Sequence, residues 1–324
     1  MTKDSWTLAN VWNTSIENRE ERIISSRDHL WASELGRQDA DLYLKLMGET
    51  PTNPPNNRSL RKFEAGNIWE WIIKLILMRA GVYQETQKRV EFRKDGWLPV
   101  TGKLDYIAGG KPNYDEAIKS IDALALPDIF KRASEGAIEY FKKNYPDGLS
   151  EKILEIKSIS SFAFEKIEFT GKALGGHDLQ TFHYARNLAK PATIVYISRD
   201  DARMIEVPIM PDDEAINARY EAKIATLSGY YHKKEMPPIE PPILFDYDLS
   251  RFQKNFNAEY SPFLTKFYNV KDPEEFDEMW GTKVSAFNRV VTRVKDGKKL
   301  TDSNTAYLDE MSKLGYNILK IMNK

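Results

Sequence analysis

The sequence predicts an α/β fold, with a mixed central β-sheet flanked by helices and further helical segments at both ends. Three observations predict it: an apolar helix signal over residues 60–79, an alternating strand pattern over 88–108, and a strand, helix, strand-pair series between 153 and 209. The order helix, meander, strand, helix, strand pair is what a mixed sheet with helical crossovers requires.

Taken in order, residues 15–48 read as helical and highly charged, ending at Gly48, and the breaker-dense loop Pro51-Thr-Asn-Pro-Pro-Asn-Asn follows. The helix from Leu60 to Arg79 has Gly81 as its C-terminal stop. Residues 88–108 alternate like a β-meander: Arg89-Val-Glu-Phe, a turn at Lys94-Asp-Gly, then Trp97 to Val100 and Lys103 to Ala108. A helical insertion at about 111–150 separates these strands from a short strand at Ile153 to Ser158. A helix at 177–189, strands at Thr193 to Ser198 and Arg203 to Ile209 joined at Asp200-Asp201, and a polar helix at about 212–228 complete a domain of residues 1–235. Met236-Pro-Pro-Ile-Glu-Pro-Pro is a stiff extended connector to a mostly helical appendage, 236–324.

Composition narrows the chemistry. The 324 residues contain no cysteine and four histidines, so disulfides, zinc–thiolate sites, cysteine-ligated clusters and His-rich metal sites are set aside, and a cytoplasmic setting is expected. No signal peptide or membrane span is read: the longest apolar run, Ile72 to Met78, is interrupted by Lys74. A net charge of −1 speaks against a histone-like protein but allows a local basic groove for phosphates.

The chemistry-bearing residues begin with Leu154-Glu-Ile-Lys-Ser. In a strand, residues i and i+2 share a face, so Glu155 and Lys157 project together while Leu154 and Ile156 point into the core. A carboxylate beside an ammonium on a buried strand costs desolvation, and a hard cation gives the pair a purpose. Asp105, in Gly102-Lys-Leu-Asp-Tyr-Ile, is a second carboxylate expected inside an apolar strand. Asp105 and Glu155 on adjacent strands could hold one Mg²⁺ or Mn²⁺ between them, with the Ile156 carbonyl as a third ligand. Glu70, flanked by Trp69, Trp71 and Ile73, either joins these acids or pairs with Lys74 one turn on. Gln180 and Tyr184 lie four apart on one helical face, suited to a phosphate or scissile-strand contact.

The ordered set Glu70, Gly-Lys-Leu-Asp105, Glu155-Ile-Lys157 and Gln180-x-x-x-Tyr184 resembles the motifs of the PD-(D/E)xK nuclease superfamily, and the last element resembles its RecB-like branch, which includes the RecB nuclease domain and CRISPR-associated exonucleases. Trp31-Ala-Ser-Glu-Leu-Gly and Leu42-Tyr-Leu-Lys-Leu-Met-Gly48 resemble the helix pair that precedes the first motif there. The resemblance covers roughly residues 28–210 and implies a restriction-endonuclease-like core. It makes Asp105 and Glu155 metal ligands, Glu70 a contributor to metal binding, Lys157 the catalytic lysine, and Gln180 and Tyr184 positioning residues. The four cysteines that clamp a [4Fe–4S] cluster in many members are absent, so no iron–sulfur cluster is expected.

The expected activity is hydrolysis of DNA phosphodiester bonds, by an exonuclease of recombination, repair or phage replication. A sequence- or structure-specific endonuclease and a non-catalytic DNA-binding subunit are the alternatives. Single- or double-stranded DNA is the expected partner, and a homo-oligomer or a recombination partner protein stays open. Arg61, Lys172 and Arg186 are candidate DNA contacts. Together with Arg58, Lys62 and Lys190 they line either a phosphate track or ordinary solvated helix faces.

Overall fold

A computed structural model describes residues 7–17, 25–247 and 249–322. In chain order these residues form α1 (Leu8–Glu17), β1 (Leu30–Trp31), α2 (Asp39–Leu46), α3 (Asn57–Arg79), β2 (Tyr83–Thr86), β3 (Arg89–Phe92), β4 (Val100–Lys103), β5 (Tyr106–Gly110), α4 (Tyr114–Asp122), α5 (Asp128–Asn144), β6 (Leu149–Ile159), α6 (Ser161–Thr170), α7 (His177–Leu188), β7 (Ala192–Ser198), β8 (Met204–Ile209) and α8 (Glu214–Lys233). They continue with β9 (Ile243–Asp246), β10 (Arg251–Lys254), α9 (Phe256–Glu259), α10 (Leu264–Tyr268), α11 (Pro273–Lys295), α12 (Asp302–Lys313) and α13 (Ile318–Met322).

The chain divides into two compact units. The first comprises Met1–Ile23, Asp28–Gly36 and Asn56–Lys233; the second comprises Ile24–Arg27, Arg37–Pro55 and Lys234–Lys324. In the first unit the five strands β2-β5-β6-β7-β8 form a mixed sheet in that order, parallel only at β6–β7. Helix α3 covers one face. Its Ile73, Trp69 and Leu77 pack with Leu154 and Ile156, on the even-numbered side of β6, and with Val195 and Ile197 of β7. The α6–α7 crossover between the parallel strands covers the other face, as a βαβ connection does.

Strands β2–β3 and β4–β5 make one long bent hairpin. Its upper half, β3–β4, pairs with β1 in a separate three-stranded sheet, while its lower half joins the five-stranded sheet through β2 and β5. The bend falls where Gln87, at a positive φ of 54°, faces Leu104 and Asp105; there Gln87 N donates to Asp105 O at 3.4 Å and Leu104 N donates to Lys88 O at 3.1 Å. Alternation persists through such a corner, so the sequence reads as a single meander, whereas the hydrogen-bond partners change sheets. Asp105 therefore lies at the corner and not within a strand.

Other expectations shift in smaller ways. Helix α3 starts at Asn57, because the Asn56 side chain accepts from Ser59 N at 3.0 Å and caps it. It stops where Gly81 takes φ +66°. Within 15–48, which reads as helical, Leu30–Trp31 is a strand parallel to β4, and residues 18–24 lie outside the described residues. Helix α6 is absent from the sequence reading; its sequence, SFAFEKIEFT, dilutes the good helix formers Ala163, Glu165, Lys166 and Glu168 with three phenylalanines and the β-branched Ile167 and Thr170, and Ser160 caps it.

The second unit is described by itself. Hairpin β9–β10 packs Phe245 and Phe252 with Phe287, Val290 and Met311 of the helices, so the tail carries a strand pair as well as helices. Residues 37–55, placed by sequence with the first domain, belong to this unit: Asn53 Oδ1 accepts from Thr265 N at 2.8 Å, and Ser261 Oγ donates to Asp41 at 2.6 Å. These bonds span more than 200 residues and leave no local sequence trace.

Candidate active site

Strand β6 pairs antiparallel with β5, Tyr106 opposite Leu154, which sets Asp105 one step beyond the pair, next to Glu155. With β5 starting only at Tyr106, the Ile156 amide has no strand neighbour on that side. It donates to Asp105 Oδ2 at 2.7 Å, so the carboxylate is fixed by the backbone of β6 itself, just past the end of β5. In an extended strand a residue's N–H and C=O point to the same edge, which turns the Ile156 carbonyl toward Asp105 as well.

Glu155 is 1% exposed. Its Oε1 accepts from Lys157 Nζ at 2.6 Å and from Gln180 Nε2 at 2.7 Å. Gln180 lies in turn 3.4 Å from the Tyr184 hydroxyl, which donates to the Lys103 carbonyl at 3.0 Å. A proton-bearing nitrogen facing a carboxylate fixes which way the Gln180 amide points. Gln180 and Tyr184 are both buried and turn their polar atoms to this chain of bonds. They brace Glu155 from behind; a direct phosphate contact, expected from sequence, does not suit buried groups so engaged.

Gly102 belongs to the same construction. A Cβ there would lie 2.8 Å from the Tyr184 hydroxyl and 2.8 Å from Ala32 Cβ, so only glycine lets β4 pass this close to α7. The glycine of Gly-Lys-Leu-Asp105 was visible in sequence, but its reason was not.

The electrostatics are those of crowded acids. Burial pushes the Glu155 carboxyl up, Asp105 pushes it further, and Lys157 opposes both. Asp105 is likewise raised by burial, against Lys157 and the Ile156 amide. Glu70 is raised to about 7 by burial and by Asp105, with Lys157 opposing. Burial works against the Lys157 ammonium, and Glu155, Asp105 and Glu70 overcome it, so its pKa is raised. Glu70 thus feels this cluster, whereas Lys74 sets its ammonium over the Tyr83 ring, 5.3 Å from the centroid.

A hard divalent cation suits the donor chemistry. The donors are carboxylate and carbonyl oxygens, and Glu155 Oε2 is buried with no hydrogen-bond partner. Among the described residues, no three His, Asp or Glu side chains converge into a ready ligand cluster. The donors at hand are therefore Asp105, Glu155 Oε2 and the Ile156 carbonyl, with Glu70 acting on them through space.

The other candidates are engaged elsewhere. Arg186 is paired with Glu221 at 2.8 Å and stacks over Phe92 at 5.0 Å. Arg61 donates to Asn13 Oδ1 and sits 6.0 Å from the Trp12 ring, and Lys190 pairs with Glu151 at 2.6 Å. Lys172 is exposed beyond the end of α6, and its amide donates to Thr170 Oγ1. His183 contacts the Tyr220 hydroxyl at 2.8 Å and the Val90 carbonyl at 3.2 Å; burial lowers it to about 4, so it is a neutral packing residue.

No protein-family model matches the chain, and no curated protein matches it. Among solved structures, that of SSO0001 is similar at 15% identity and TM-score 0.42, covering 73% of this chain and 91% of its own. LHK-Exo in complex with dAMP is similar at 13% identity and TM-score 0.38, covering 64% and 89%. An alkaline exonuclease (LHK-Exo) from Laribacter hongkongensis is similar at 13% identity and TM-score 0.36, covering 69% and 95%.

Proposed function

We propose that this chain is a divalent-metal-dependent nuclease whose reacting centre is Asp105, Glu155 and Lys157, with Glu70 as an auxiliary acid. One observation carries the proposal: two buried carboxylates meet where β5 ends beside β6, an ammonium lies 2.6 Å from one of them, and that carboxylate keeps one oxygen free of hydrogen bonds. An ion pair alone would not repay its burial in such a place.

Asp105, Glu155 Oε2 and the Ile156 carbonyl would hold Mg²⁺ or Mn²⁺. When bound, the cation supplies Lewis-acid polarisation of a phosphodiester and acidifies a water. Lys157, 21% exposed, can reach a phosphate oxygen from its place beside Glu155 and stabilise the charge that develops on it. Gln180 and Tyr184 hold Glu155 in place. Glu70, half protonated near neutral pH, can take up or release a proton at its carboxylate. DNA as substrate, and exonuclease action in recombination, repair or phage replication, are supported by the motif order from Glu70 to Tyr184.

The test is incubation of end-labelled single- and double-stranded DNA, linear and covalently closed, with Mg²⁺, Mn²⁺ or chelator. Linear DNA should be degraded with either metal and untouched in chelator, and closed circles should survive. Cutting of circles would convert the exonuclease into an endonuclease. No cleavage with any metal, or equal cleavage in chelator, would sink the proposal.

A further inference from the structure

We infer that Arg58, Lys62 and Arg199, with the exposed rings of Phe63 and Phe162, form a track for single-stranded nucleic acid that leads away from the Glu155–Lys157 cluster. That the track serves cleavage rests on the nuclease proposal; that it binds a polyanion does not.

The fold brings these residues together from three elements. Arg58 and Lys62 are one turn apart on α3, and both are exposed. Arg199 follows β7, and its amide donates to the Ile159 carbonyl at 2.9 Å, two residues past Lys157 on the neighbouring strand. Helix α3 runs against β6 and β7: its later turns pack on Leu154 and Val195, Glu70 lies near Asp105 and Lys157, and Lys62 is close enough to Arg199 to feel its charge. Lys62 and Glu70 are eight residues apart, about 12 Å along the helix axis. That is roughly three to four nucleotide steps at duplex rise.

These cations have no ion-pair partner among the described residues. They also repel one another: burial lowers the Lys62 pKa, and Arg58 and Arg199 lower it further. The acid closest in sequence, Asp200, turns its Oδ2 to the Ser161 amide at 2.8 Å. In a chain with net charge −1, three cations set against one exposed carboxylate, Asp200, whose pKa Arg199 helps to lower, leave a local positive excess that an anion completes. The apolar neighbours decide which polyanion. Phe63 adjoins Lys62 and is 58% exposed; Phe162 follows Ser161, which Asp200 anchors beside Arg199, and is 67% exposed. Cations interleaved with exposed rings suit unpaired bases, which can stack, whereas a duplex hides its bases and uses only the charge.

The experiment is fluorescence anisotropy of labelled oligo(dT) and of a duplex of equal length, in chelator, across a salt titration. For oligo(dT), Arg58→Gln/Lys62→Gln/Arg199→Gln should weaken binding at least tenfold and reduce the slope of log affinity against log salt by about two. Phe63→Ala/Phe162→Ala should weaken oligo(dT) binding about tenfold and duplex binding less than twofold. A less-than-twofold effect of the triple variant, or equal losses on both ligands in the aromatic pair, overturns the inference. Unchanged circular dichroism and melting temperature show that these surface variants fold, and a single Lys62→Gln variant, expected to flatten the slope by about 0.7, serves if the triple does not. Because binding is read without metal, failure of cleavage and failure of the track are separate results.

Discussion

Two buried carboxylates, Glu155 in the first unit and Asp41 in the second, are built alike up to a point. Each places two donors on one oxygen: Lys157 and Gln180 on Glu155, and Gln38 at 3.1 Å and Ser261 at 2.6 Å on Asp41. Each leaves the other oxygen buried without a partner. Asp41 is raised to about 6 by burial, and the groups that act on it beyond burial all oppose the rise: Ser261, Arg37, Lys45 and Gln38. Glu155 has acids among its neighbours, and Asp105 and Glu70 push the same way as burial. An orphan oxygen is therefore not enough to mark a metal site. What separates the two is the company of like charge, which a proton or a cation must neutralise.

The sharpest way to break the comparison is activity. Asp105→Ala or Lys157→Ala should lower cleavage by at least about 10³-fold with folding intact, while Asp41→Asn should leave it within a few-fold. Normal cleavage in either of the first two variants removes them from the reacting centre. Next in size, Gln180→Leu strips one donor from Glu155. It should cost roughly ten- to a hundred-fold in kcat and raise the Mg²⁺ concentration needed for half-maximal rate. A purely structural Gln180 would lower stability and leave the metal requirement where it was.

Metal linkage separates the two acids without any substrate. Mn²⁺ at about a hundred times its dissociation constant should stabilise the protein by about 2.7 kcal/mol, a rise of roughly 5 °C in melting temperature. That rise should vanish in Asp105→Ala and persist in Asp41→Asn. It should also grow as pH rises through about 7, because Glu70 and Glu155 must release protons before a cation can replace them.

The smallest effect concerns Glu70 alone. Its folded pKa of about 7 lies above the ordinary 4.5, so the folded state holds the extra proton in that window, and metal-free stability falls as pH rises from about 4.5 to 7. Glu70→Gln should remove that slope. Allowing for partial exposure, the variant should be about 2 kcal/mol more stable than the parent at pH 8 in chelator. Urea melts at pH 5 and pH 8 provide the measurement; an unchanged slope would place Glu70 outside the cluster.

The sequence reveals some of this better than the rest. Glu155 and Lys157 are legible because strand periodicity alone puts them on one face, and helix α3 and the β7–β8 pair are legible from their strong patterns. The corner at Leu104–Asp105 is not, since side-chain alternation continues while hydrogen-bond partners change. Gln180 and Tyr184 are found by spacing, but their inward role depends on α7 lying between two sheets. Residues 37–55 join the second unit through Asp41 and Asn53, whose partners lie more than 200 positions away.

The insertion carrying α4 and α5 leaves from β5 and returns into β6, two strands that lie side by side with Ala108 opposite Lys152. To the sheet it is a detour with a common door for entry and exit. Lengthening such an excursion adds only a logarithmic entropic cost, and the register that sets Asp105 beside Glu155 is fixed before and after it. This stretch is thus where the molecule can vary in size, or accept a foreign domain, while the distance between its two acids stays the same.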